Sequence, residues 1–182
     1  MPLTPPQPHE FDPFYAGYIS RVANVPSPVD ELVAQRARLL NLLSPLSDGQ
    51  AKHRYAAGKW SIKELVGHLS DAERIFAYRL LRIGRGDSTP LPGFEENDYV
   101  RSAGSHARPF GELLDEWAAT RDATAALVRG MPPEAWERRG TANGAAISAR
   151  ALAYIILGHV EHHRSVLEER YGLAASLFPG TP

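Results

Sequence analysis

Cysteine is absent from this 182-residue chain. That single gap excludes disulfide staples, thiolate nucleophiles and Cys-ligated zinc. A surplus of either charge is missing as well: 20 Lys and Arg stand against 21 Asp and Glu, a formal net charge of -1. Such a balance supplies no basic field for nucleic acid and no polybasic patch for an anionic membrane, so neither partner is expected. No apolar run approaches the roughly 20 residues of a membrane span. The opening residues, 1–8, lack the positive and apolar regions of a secretory signal, and a cytoplasmic location is the expectation. Strand-like alternation is scarce too, which leaves helices to build the fold.

What is present suits one domain, 1–182, with enough length for a substantial core. Four amphipathic segments carry helical periodicity. The first spans Pro28 to Leu43, opened by Ser27 as cap, Pro28 at the first helical position and Asp30 at the third. Arg36 interrupts its apolar stripe. The second opens on the capping box Ser61-Ile-Lys-Glu64 and is expected to stop at Gly84 as the residue past the C-cap. The third spans Pro109 to Gly130, and the fourth Ser148 to Tyr171 with Gly172 as terminator. The fold class predicted is all-α, a four-helix bundle. Residues 85–108, rich in Gly, Pro and charge, read as a long crossover that lets the second and third helices run parallel. Phe94 and Tyr99 are expected to anchor it against the bundle end. Residues 1–26 read as an arm, packed through Phe11, Phe14, Tyr15 and Tyr18.

Histidine carries the functional signal. His159 and His163 stand four apart on the fourth helix, on one face, flanked by Ile155, Ile156, Val166 and Leu167. His68 lies on the apolar face of the second helix or at its edge. Packing of these helices can bring three imidazoles onto one divalent metal, with positions left open for water or substrate. Zinc, nickel, iron and copper all suit such a set. Hydrogen-bonded core histidines satisfy the same spacing equally well. The zincin pattern is ruled out because Val160 follows the first His, and paired Glu-x-x-His motifs of di-iron bundles are absent. His162, about 100° round the helix from His163, is expected at the rim or in solvent. Asp71 and Glu161 are candidates to orient a ligand ring or act as base, against the simpler reading of solvated charge. Arg74, Arg79 and Arg82 could bind an anionic substrate group or pair with Glu73 and surface acids. His9, His53 and His106 fall outside the helices. Trp60 reads as a staple or core plug beside the cap.

Two motifs together, Trp60-Ser-Ile-Lys-Glu-Leu-Val-Gly-His68 and His159-Val-Glu-His-His163, make the chain resemble the DinB/YfiT-like superfamily. The likeness extends through Arg79 to Phe94 and covers most of the chain from the first helix to the fourth. The resemblance implies an up-down-down-up order and a metal held by His68, His159 and His163, with zinc or nickel usual and iron, manganese or copper as further possibilities. It also implies a homodimer acting on a small-molecule substrate. Relatives activate a low-molecular-weight thiol as S-transferases or thiol-dependent isomerases, or are described as metal-dependent hydrolases. No thiol-binding motif stands out in this chain, and a non-catalytic metal-binding or sensor module is the competing expectation.

Overall fold

The structure is a computed structural model, and it describes residues 3–173. Six α-helices occur among the described residues: α1 Ala16–Arg21, α2 Pro28–Leu43, α3 Ile62–Gly84, α4 Glu96–Ala103, α5 Phe110–Arg129 and α6 Ala149–Glu169. The four long ones coincide with the four periodic segments. Ser27 and Ser61 cap as expected, each side chain accepting from the amide three residues on, and Glu64 completes the box at Ser61. Ser148 caps α6 in the same way through the Ala151 amide.

Each long helix packs on two others, α3 and α2 both lying against α5 and α6. The starts of α3 and α5 lie together, since Lys63 donates to the Arg108 carbonyl at 2.6 Å. Their far ends also meet, for the space a Cβ would need at Gly84 is filled by Met131. These two helices therefore run the same way. Against α6, α3 runs the opposite way: His68 faces His163 near one end, while Ile83 meets the β-hairpin that precedes α6 at the other.

Three expectations need correction. The chain has strands: β1 Arg139–Ala142 pairs antiparallel with β2 Ala145–Ser148. Asn143 and Gly144, at φ 53° and 76°, form the two-residue turn between them. An Asn-Gly pair is the strongest short hairpin signal, but each flank has only four residues with little alternation, so hydrophobic period concealed it. The crossover 85–108, to which periodicity assigned no element, also carries regular structure. Leu91 bridges to β1 through the Thr141 carbonyl and the Asn143 amide, and α4 follows, with Glu95 capping the Asn97 amide. With its many charges and only eight residues, α4 shows little apolar face beyond Val100. Gly84 lies within α3 rather than beyond it; Gly86, at φ 82°, takes the left-handed position. What Gly84 provides is closeness, because an added Cβ would sit 2.3 Å from Met131 Cε.

The N-terminal segment packs deeply. Leu3, Tyr15, Ile19 and Val22 join the core with Tyr154 and Ile155 of α6. Glu10 is buried, and Arg150 and Ser148 both donate to its carboxylate. Phe14, by contrast, is 73% exposed, and Tyr99, stacked edge-on with Phe94, is 46% exposed. No helix among the described residues is long and apolar enough to cross a membrane.

Candidate metal centre

The one-sided spacing of α6 aims His159 and His163 inward, and antiparallel α3 presents His68 to them. His68 Nε2 lies 3.0 Å from His159 Nε2, and His163 Nε2 lies 3.2 Å from that same atom. Ring centroids are 4.6–5.0 Å apart in all three pairings. His68 and His159 are buried, and His163 sits at the margin of burial.

Protons alone satisfy this cluster poorly. A neutral imidazole has one N–H, so His159 Nε2 can make one in-line hydrogen bond, yet it faces two ring nitrogens. A shared cation suits the geometry better. Tetrahedral zinc with Zn–N bonds of about 2.0–2.1 Å sets N···N edges of about 3.3–3.4 Å, close to the two separations from His159 Nε2, and the three ligand atoms all lie within 4.8 Å of one another. The rings are also ready as ligands, because metal binding requires neutral imidazole. Burial, helped by His162, lowers His68 to about 4. Burial also holds His159 and His163 well below the usual histidine range; the His163 and His68 rings add to it for His159, and those of His68 and His162 for His163. His68, His159 and His163 are thus the residues that could hold a divalent metal.

The surroundings are aromatic. Trp60 lies 4.8 Å from the His68 ring, and Tyr18 and Phe76 stand edge-on to His159 at 5.6 and 5.5 Å. Tyr18 reaches that position because α1 crosses α6 at Gly158, where a Cβ would fall 2.1 Å from the Tyr18 carbonyl oxygen. On α3, Gly67 similarly admits Ser105 of the crossover. Two cavities with no lining residue in common open beside the cluster. One of 120 Å³ touches His68 and His159 and is walled by Tyr15, Tyr18, Phe76, Arg79 and Phe94, with Glu96 and Asn143 also on its lining. The other, of 260 Å³, touches His163 and His162 and includes Lys59, Trp60, Asn97 and Tyr171. Adjacent residues of α4, Glu96 and Asn97, face the two cavities separately.

Asp71 and Glu161, weighed as supporting groups against the reading of solvated charge, each lie against a cation instead of a ring. Asp71 lines a different cavity, of 490 Å³, with Asp98, Arg108 and Glu116, and takes a long contact from Arg74. Glu161 is clasped by Arg164 through both carboxylate oxygens. Glu161 stands two residues from both His159 and His163 and so points away from their face. Asp71, three along from His68, is near that ring's side of α3 but meets Arg74 and lines the other cavity. Among the described residues neither donates to nor accepts from a ligand ring, and His163 Nδ1 has no hydrogen-bond partner. His162 is half-buried, with its ring 5.4 Å from Tyr18 and 5.0 Å from His163, so it belongs to the rim. His106 is engaged elsewhere, at 2.9 Å from the Ser61 hydroxyl. Sequence periodicity did not reveal the roles of Tyr18, Phe76 and Asn143 around the centre; Gly158, next to a candidate ligand in an otherwise apolar helix, was the available hint of a close backbone approach.

Comparison with known proteins agrees with this architecture. No curated protein sequence matches the chain. Among solved structures, the chain is similar to YfiT from Bacillus subtilis, named as a probable metal-dependent hydrolase with an unusual four-helix bundle topology. The TM-score is 0.70 at 15% identity, over 96% of this chain and 94% of that one. It is also similar to a mycothiol-dependent maleylpyruvate isomerase, with a TM-score of 0.64 at 15% identity, over 76% of this chain and 58% of that longer one. At such identities the likeness speaks for the fold. The family model of the DinB superfamily matches residues 31–167, from early α2 to the last turns of α6 and through all three histidines. The chain belongs to the DinB superfamily.

Proposed function

We propose that this protein is an enzyme in which His68, His159 and His163 hold one divalent cation, and that it transfers a low-molecular-weight thiol to a small electrophile. Zinc or nickel is the first choice of metal, with iron, manganese and copper as further candidates. The observation that carries the reading is the convergence of three buried, neutral ring nitrogens between two separate cavities. When bound there, a divalent ion lowers the pKa of a coordinated thiol into the physiological range.

The protein's own residues supply orientation and dryness. His68 and His159 border the smaller cavity and His163 the larger, so two reactants can reach one centre from different sides. Two mouths favour transfer between two substrates over attack by water. Tyr18, Phe76 and Trp60 cover the rings and keep bulk water from them. Glu96 and Asn97 put α4 beside both mouths, which suits a lid. Hydrolysis is the second reading, supported by the name of the YfiT neighbour. A metal-binding sensor is the third.

The same reading takes 1–182 as one domain with an up-down-down-up helix order, supported by α3 and α5 running the same way. It also takes the working form as a cytoplasmic homodimer, which sedimentation velocity tests. For activity, the zinc- or nickel-loaded protein is mixed with panels of thiols and electrophiles, and conjugates are followed by mass spectrometry. Conjugation that requires the metal and is lost in His159→Ala is expected. Ester or amide cleavage without a thiol would replace transfer by hydrolysis. Stoichiometric metal binding with neither turnover would leave the sensor.

A further inference from the structure

Three cationic side chains are buried among the described residues: Lys63, Arg79 and Arg121. Lys63 has Asp48 at 2.6 Å and Arg121 has Glu73 at 3.0 Å. For Arg79, only 3% exposed, no carboxylate among the described residues lies within ion-pair reach. Its polar partners are neutral: the guanidinium donates to the Pro92 carbonyl at 2.6 Å and has the Tyr15 hydroxyl beside it. The guanidinium otherwise rests on aromatic faces, 5.9 Å from the Phe76 centroid and 6.0 Å from that of Phe94.

A buried guanidinium with five donors and no counter-charge is costly unless something anionic completes it. Arg79 lines the 120 Å³ cavity that also touches His68 and His159. The one acid lining that cavity is Glu96, an exposed residue, and it forms no ion pair with Arg79. The remaining walls, Tyr15, Tyr18, Phe76 and Phe94, accept a flat or unsaturated carbon skeleton. The free space is well under the ~300 Å³ at which drug-sized ligand sites begin, so the guest is compact.

We infer that Arg79 is the anchor for a carboxylate on the electrophilic substrate, so that the smaller cavity selects compact, planar or unsaturated carboxylic acids. The guanidinium offers a paired fork to both carboxylate oxygens, which a lysine cannot match. Held there, the acid's carbon skeleton extends from Arg79 along the aromatic wall toward the His68 and His159 rings. The inference rests on the histidine cluster being the reacting centre, but its binding step does not need the metal.

The test is a calorimetric or NMR titration with crotonate and its uncharged isostere crotonamide, on both zinc-loaded and chelator-treated protein. Crotonate is expected to bind in both forms and crotonamide at least about tenfold more weakly. Arg79→Gln should erase the preference, and Arg79→Lys should keep part of it. Equal binding of acid and amide by the wild type overturns the inference without recourse to any variant. So does unchanged crotonate binding by a folded Arg79→Gln protein, or no crotonate binding at all. If Arg79-dependent binding holds while the protein takes up no metal, the carboxylate site stands and the catalytic reading falls.

Discussion

At the scale of single residues, the core is held by more than apolar contact. Arg121 and Glu73 are both buried, and the guanidinium also lies 5.5 Å from the Trp117 ring centroid. Burial raises Glu73 and lowers Arg121, each opposed by the other's charge. Removing one member strands the other, so Arg121→Ala is expected to cost about 3–5 kcal/mol in urea unfolding, while the double change Glu73→Leu with Arg121→Met costs far less. If the two single changes and the double change proved equally harmful, the pair would not be coupled. Glu10 shows the linked pH effect. Burial alone would raise its carboxyl, but hydrogen bonds from Arg150, the Gln7 amide and Ser148 outweigh that and hold it below the usual range. A lowered folded-state pKa gives stability that is full above the unfolded value, about 4.5, and is lost as pH falls through the folded one. Glu10→Gln should therefore lose about 2 kcal/mol at pH 7 and show a shallower acid limb than the wild type as pH falls below about 4.5.

Among the elements, α1 against α6 is the most sensitive contact. Gly158→Ala puts a methyl group into the Tyr18 backbone, which cannot rotate away as a side chain would. We expect a loss of about 1–3 kcal/mol, measured by urea unfolding, and weaker protection of the amides of α1 in hydrogen exchange. Gly17→Ala is the control: nothing lies within 4 Å of its would-be Cβ, and a helical Ala there should be neutral or stabilising by about 0.5–1 kcal/mol. A Gly158→Ala protein as stable as the control would mean α1 is not pinned there. The elements also show what sequence could and could not disclose. The four long helices were legible because apolar period and caps agree, as at Ser27 and Ser61. The hairpin and α4 were not, since their order comes from tertiary partners: Leu91 for the strands, and α3 for α4. The three histidines were legible from facing and spacing, whereas Arg79 stood beside Arg74 and Arg82 as an equal candidate for an anion or a surface acid, because period cannot say which cation lacks an acid.

At the scale of the molecule, metal and stability are linked if the cluster binds as proposed. A cation that binds the folded chain alone stabilises it by about 2.7 kcal/mol at a free concentration 100 times its dissociation constant. For a chain of this size that is a rise in Tm of about 5–10 °C, read by differential scanning fluorimetry with zinc or nickel and reversed by chelator. His159→Ala should show no rise. An equal rise in that variant would place the metal elsewhere on the surface.

The centre draws its ligands and walls from distant stretches of sequence: Tyr18 from before α2, His68 from α3, and His159 and His163 from α6. A nascent polypeptide whose synthesis has stopped short of α6 owns a single imidazole of the three, and one ring is a feeble chelator. If the cluster binds a cation as proposed, capture must wait until translation has passed His163, so loading would act as a timestamp on finished folding rather than as a seed for it.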